Sequence, residues 1–204
     1  MHDPQQLRRE IRAQRRALTA QEQKGHSQEI AGILAGSNLF RNSQRIAIYI
    51  ENDGEVGVTH LLSNIFSLAK RCYLPALRPM LPNRLWFIEY RPEDSLIPNR
   101  YGILEPSIRR RKPVSTYSLD MVLVPLVAFD ASGNRIGMGG GFYDRTFSYL
   151  MTRDNWRKPK LIGIAHELQQ LESIQSNLWD VPLDAVVTEK RLYTRDKRIK
   201  KYVL

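Results

Sequence analysis

A chain of 204 residues with 42% apolar and 25% charged side chains has the size and make-up of one large globular domain. Its 31 Lys and Arg against 21 Asp and Glu leave a formal charge of +10; that favours an anionic partner, whether nucleic acid, a membrane surface or a polyanionic small molecule, without choosing among them. The single cysteine, Cys72, rules out an intrachain disulfide and fits a reducing compartment. No apolar leader opens the sequence, and the longest apolar run, Met121–Phe129, is interrupted by Pro125. It falls far short of the about 20 residues that a membrane helix needs, so a soluble cytoplasmic protein is expected.

In chain order, Leu7, Ile11 and Leu18 put an apolar stripe on a first helix crowded by Arg8, Arg9, Arg12, Arg15 and Arg16. Thr19 and Glu22 form a capping box that opens a second helix, with Ile30, Ile33 and Leu34 on its buried face and Gly36-Ser37-Asn38 ending it. Arg45–Ile50 reads as a strand followed by the polar turn Glu51–Glu55. Helical spacing from Val58 to Ala69 and a short strand at Cys72–Leu74 complete a strand–helix–strand unit, which implies parallel pairing. Leu85–Tyr90 is another strand. Arg91–Ser118, with four prolines and the basic run Arg109–Lys112, reads as a long irregular connection. Met121–Phe129 is too continuously apolar for a half-exposed strand and belongs at the centre of a sheet. A helix is expected from Phe142 to Met151, and two further core strands at Leu161–Ala165 and Ala185–Thr188. The expected fold is a single α/β domain over 1–204: three layers, a mostly parallel twisted sheet with helices on both faces, and a basic tail over about 189–204.

Five of the 12 glycines fall between Gly133 and Gly141 in Gly133-Asn-Arg-Ile-Gly-Met-Gly-Gly-Gly-Phe-Tyr-Asp144. This stretch follows a buried strand and precedes a helix, where open α/β sheets bind ligands. Glycine admits positive φ and lets an anion approach backbone N–H groups. Arg135 can add a fork of donors, and Asp144 can hold a Mg²⁺ that bridges phosphates. The spacing fits neither the Walker loop nor the dinucleotide fingerprint. Taken alone, it therefore leaves a phosphate loop and a purely structural turn both open.

Pro125-Leu-Val-Ala-Phe-Asp130 together with Gly133–Arg145 resembles the signature of the 5-formyltetrahydrofolate cyclo-ligase (methenyltetrahydrofolate synthetase) family. Leu7–Arg12, Glu55, Tyr101-Gly-Ile-Leu-Glu-Pro106 and Trp179–Thr188 are similar to further family segments, in the family's order and over most of the chain. The resemblance implies ATP- and Mg²⁺-dependent closure of 5-formyltetrahydrofolate, polyglutamylated or not, to 5,10-methenyltetrahydrofolate by a monomeric enzyme, with release of ADP and phosphate. It assigns ATP to Arg8 and to Arg135, Ile136, Gly137, Met138, Gly139, Gly140, Gly141, Phe142 and Tyr143. It assigns the folate to Ile50, Glu55, Tyr101 and the stretch Met138–Phe142, the metal to Asp144 and Asp184, and the chemistry to Arg135 and Asp144. Glu55 would accept hydrogen bonds from the pterin amine. Pro4 and Gly140 stand where family members carry lysine, so the loop here relies on its backbone, Arg135 and metal.

Plainer readings stand beside these. Asp144 can be a helix cap, Asp184 a turn carboxylate, and Glu55 part of a solvated turn. Arg12, Arg15 and Arg16 read as a solvated or tail-binding face. His26, His60 and His166 read as solvated or structural, and Cys72 as buried core. A basic nucleic-acid-binding protein is the alternative of another class, although no recognised nucleic-acid motif is present. A different ATP-dependent kinase or ligase on the same loop is the third.

Overall fold

A computed structural model describes residues 4–81, 83–107, 111–153 and 158–195. Arg109, Arg110 and the tail beyond 195 therefore lie outside the described residues. Helix α1 (Pro4–Arg16) ends on basic residues that suit the negative end of its dipole. Helix α2 (Ala20–Gly36) starts at the expected capping box: Thr19 Oγ1 accepts from the Glu22 N–H at 3.2 Å and Thr19 N–H donates to Glu22 Oε2 at 2.8 Å. Ser37 ends α2 and caps the one-turn helix α3 (Asn38–Arg41).

Strand β1 (Arg45–Ala47), helix α4 (Thr59–Ser67) and strand β2 (Arg71–Leu77) form the expected parallel unit, with Arg45 opposite Arg71. Strand β3 (Leu85–Tyr90) turns back antiparallel on β2. Arg91–Ser118 is not wholly irregular: it holds the hairpin β4 (Leu96–Pro98) and β5 (Leu104–Pro106). Two short strands around a five-residue turn carry too little apolar alternation to be recognised in advance.

The apolar run Met121–Phe129 is two strands, not one. Strand β6 (Met121–Pro125) lies at the middle of the main sheet, as its composition demands. The chain then leaves that sheet, and β7 (Ala128–Phe129) pairs antiparallel with β8 (Arg135–Ile136). Proline has no N–H to continue a ladder, which suits a strand end at Pro125. Asp130 closes the β7–β8 turn, its Oδ1 accepting from the N–H groups of Ser132 and Asn134 at 2.9 and 3.0 Å. Gly133, at φ 84°, completes it; a Cβ there would stand 2.7 Å from the Leu183 carbonyl oxygen, so only glycine fits.

Helix α5 (Phe142–Phe147) runs into a 3-10 turn at Ser148–Met151. Strands β9 (Lys160–Ile164) and β10 (Ala185–Val187) follow, and β11 (Leu192–Thr194) adds an antiparallel edge where the sequence suggests only a basic tail. The main sheet runs β11-β10-β9-β6-β1-β2-β3. On one face α2 and α4 cover Ile46, Leu74, Leu123 and Ile164; on the other, α5 and the segments around Leu126 and Val181 cover Ala47, Val122, Val124 and Leu161. This is the expected three-layer arrangement. Ile11 of α1 packs on Val127 and Ala128, so α1 rests on the β7–β8 hairpin.

Candidate active site

A cavity of about 1050 Å³ opens at the carboxyl ends of β1, β2 and β6. The glycine loop between β8 and α5 forms one wall. Gly139 and Gly141 hold φ values of 96° and 62°, a backbone that side chains other than glycine's resist. Two arginines brace the loop by its carbonyls. Arg8 Nε donates to the Gly137 oxygen at 2.8 Å, and Arg145 Nη1 to the Gly140 oxygen at 2.7 Å. Arg8, assigned to ATP by the resemblance, thus stands at the loop. Ile136, Gly137, Met138, Gly139, Gly140, Gly141, Phe142 and Tyr143 all line the cavity.

Arg135 and Asp144 meet as an ion pair. Arg135 Nη2 donates to Asp144 Oδ1, Arg135 Nη1 donates to the Val181 carbonyl, and the Val181 N–H donates to the same Asp144 oxygen at 3.1 Å. The segment after the long 170–180 connection therefore locks both groups in place. Asp184 is elsewhere. Its carboxylate accepts from Lys160 Nζ at 3.1 Å and the Leu161 N–H at 3.0 Å, at the amino ends of β9 and β10. The cavity collects the opposite, carboxyl ends of the strands, and Asp184 is not among the residues that line it. Here the turn-carboxylate reading of Asp184 describes its contacts; the geometry does not pair it with Asp144.

The far wall carries Ile50, Glu55 and Tyr101. Burial pushes the Glu55 carboxyl up to about 7, against the pull of Arg15's charge. The half-buried carboxylate accepts the Asn52 N–H within its turn at 3.1 Å and also lines the cavity, so the turn is not fully solvated. Tyr101 sits at the tip of the β4–β5 hairpin, its ring edge-on to Phe142 with centroids 6.0 Å apart. The hairpin thereby brings this wall into contact with the loop.

Arg15 contradicts its reading as part of a solvated or tail-binding face. It is 1% exposed, and donates to the Asp53 carbonyl from Nη2 at 2.7 Å and to the Leu126 carbonyl from Nη1 at 3.2 Å. Arg12 and Arg16 both pair with the Asp53 carboxylate. Burial alone would raise that carboxyl, but the Arg12 hydrogen bond and the three guanidinium charges hold it below its ordinary value. Arg84, Arg145 and the exposed Trp179 also line the cavity; Arg145 and Trp179 stand within segments that carry the family resemblance but drew no role there, and Arg84 carries no sequence signal beyond its residue type.

The described residues include no helix long and apolar enough to cross a membrane. A family model for the 5-formyltetrahydrofolate cyclo-ligase family matches residues 1–189. The 5-formyltetrahydrofolate cyclo-ligase of Escherichia coli K12 is 37% identical over 185 residues, covering 90% of this chain and 98% of the relative. That of Haemophilus influenzae is 39% identical over 183 residues, covering 88% and 94%. The solution structure of the Aquifex aeolicus 5,10-methenyltetrahydrofolate synthetase superposes with a TM-score of 0.79 at 30% identity, over 96% of this chain and 94% of that one.

Proposed function

We infer the reaction from one premise, that the chain belongs to the 5-formyltetrahydrofolate cyclo-ligase family, and propose that it converts 5-formyltetrahydrofolate to 5,10-methenyltetrahydrofolate at the expense of ATP, with Mg²⁺. The observation that supports this most is the convergence of the cavity. Arg8 touches Gly137 across 129 residues of sequence, and Glu55 and Tyr101 face the same space. A glycine loop flanked by guanidinium groups suits a triphosphate, while a recessed carboxyl and an aromatic tip suit a pterin.

The chemistry explains the need for ATP. A formamide oxygen is a poor leaving group. In the proposed sequence it attacks the γ-phosphorus as ADP departs; N10 then attacks the formyl carbon, and the oxygen leaves as phosphate. The protein's part is alignment and charge neutralisation. Arg8 and the loop N–H groups would bind and orient the phosphates. Met138–Phe142 and Tyr101 would hold the formyl group against them and exclude water. Glu55, once ionised, would accept hydrogen bonds from the pterin amine. For magnesium, Asp144 offers one carboxylate whose Oδ2 takes no part in the contacts to Arg135 and Val181. One carboxylate fits an ion that draws its other ligands from phosphates and water. The ion would neutralise phosphate charge there. The proposal covers folate with or without a polyglutamate tail, which the charge of +10 would attract, and a monomer as the working unit.

The test is the absorbance of methenyltetrahydrofolate on mixing protein, 5-formyltetrahydrofolate, ATP and Mg²⁺. Product is expected only with all four, and a folded protein that yields none overturns the reading. Asp144→Asn and Arg135→Ala are expected to lower kcat by about 100-fold or more, the usual cost of removing one group that meets transition-state charge. Near wild-type turnover in both would refute the site assignment.

A further inference from the structure

Away from the cavity, three side chains from distant parts of the sequence converge. His26 lies on α2; His166 follows β9 by two residues, and Glu189 follows β10 by two. Ile164 and Val187 are partners in the parallel β9–β10 ladder, so the residues two places on, His166 and Glu189, emerge side by side. His26 meets them from α2, its Nδ1 2.9 Å from His166 Nδ1 and its Nε2 3.9 Å from Glu189 Oε1. One ligand atom from each residue lies within 4.8 Å of the other two, the only such group of three or more His, Cys, Asp or Glu among the described residues.

Two of the three are already oriented by other groups. His166, fully buried, sets Nε2 against the Gly54 carbonyl at 3.3 Å. Donation there fixes the tautomer and leaves the Nδ1 lone pair directed at His26. Glu189 accepts the Glu167 N–H on Oε2 at 3.0 Å, which leaves Oε1 on the His26 side. Imidazoles held by a backbone carbonyl and a carboxylate held by an N–H are how proteins prepare ligands for a metal. Two imidazoles and one carboxylate form a nitrogen-rich, borderline set that suits Zn²⁺ rather than Mg²⁺ or Ca²⁺. Tetrahedral zinc with bonds of about 2.0–2.1 Å places its ligand atoms roughly 3.3 Å apart. The 2.9 Å contact between the histidines is a hydrogen bond, and the 3.9 Å contact to Glu189 is made by the other nitrogen of His26, so the ion would replace that hydrogen bond and take one His26 nitrogen; one ligand atom from each residue already lies within 4.8 Å of the other two.

We propose that His26, His166 and Glu189 bind one Zn²⁺-class ion, with a fourth position for water, and that the ion clamps α2 to the carboxyl ends of β9 and β10. Gly54, which His166 contacts, stands between Asp53 and Glu55, both of which line the cavity. The ion therefore stiffens the turn that presents Glu55 without itself entering the reaction. The proposal does not depend on the cyclo-ligase chemistry.

The experiment uses the untagged chain, stripped with a chelator and titrated with Zn²⁺ at about pH 7.5 against a chromophoric competitor, with Co²⁺ absorption as a second readout. One equivalent is expected to bind, with Kd below about 1 µM, with visible Co²⁺ bands of low coordination number and a raised Tm. His26→Gln and Glu189→Gln, both partly exposed positions, are expected to fold as the metal-free wild type does and to weaken binding by about 100-fold or more. His60→Gln is expected to bind like the wild type. Absence of stoichiometric binding overturns the proposal. So does wild-type affinity in His26→Gln and Glu189→Gln, or loss of binding in His60→Gln.

Discussion

Glu55 owes its character to its neighbours rather than to the sequence around it. It follows Asp53-Gly54, a turn signal, and a turn carboxylate is ordinarily solvated. Burial instead raises it from 4.5 to about 7. A carboxyl raised in the fold contributes stability that is complete below its unfolded value near 4.5 and is lost as pH rises through about 7. Substrate binding is expected to run the other way, because only the carboxylate accepts two hydrogen bonds from a pterin. The KM for 5-formyltetrahydrofolate should therefore fall about tenfold between about pH 6 and pH 8, as the ionised fraction of Glu55 rises. Glu55→Gln should flatten that profile at the weak-binding end. A pH-independent KM in the wild type would remove Glu55 from the pterin site. At this scale, that the loop glycines, Arg8, Tyr101 and Asp144 share one cavity was legible because the signature is long and ordered; their roles there are the proposal's. The place of Asp184 was not legible, because a carboxylate before an apolar strand looks the same whichever end of the sheet it occupies.

Among the elements, α1 shows why composition misleads. Its five arginines look alike in sequence, yet Arg12 and Arg16 pair at the surface while Arg15 passes between α1, the Asp53 turn and the end of β6. Removing a surface partner costs little; removing a buried donor leaves its acceptors unpaired. Arg15→Met is expected to destabilise the protein by about 3 kcal/mol in urea unfolding, and Arg12→Ala by less than about 1 kcal/mol. Equal losses would mean that Arg15 acts by charge alone. The split of Met121–Phe129 into β6 and β7 follows the same logic. Apolar content reports burial, and burial here is shared between the main sheet and a hairpin beneath α1.

For the whole molecule, the parallel core could be read from the strand–helix–strand unit and from the apolar strands that follow, and the central place of β6 from its composition. The antiparallel edges could not. β11 has three residues in a basic stretch, and the β4–β5 hairpin sits among prolines. Their stability comes from neighbours that only the assembled fold supplies. The cavity has the same origin: one wall comes from residues near position 50, the tip from the β4–β5 hairpin, and the opposite wall from the glycine loop.

Helix α1 reaches both walls, with Arg8 on the Gly137 carbonyl and Arg15 on the Asp53 carbonyl. On the proposed function, two ligands would be seated against one strut, and their binding is expected to be coupled. Whichever arrived first would hold α1 further in place, and the second would meet a wall already set. Thermodynamic reciprocity then requires ATP to tighten folate by the same factor that folate tightens ATP. Titrating each ligand alone and in the presence of the other, with a non-hydrolysable nucleotide, should give one shared factor of about 5 or more. A factor of one in both directions would make α1 a passive strap, and the enzyme a chamber with two unconnected doors.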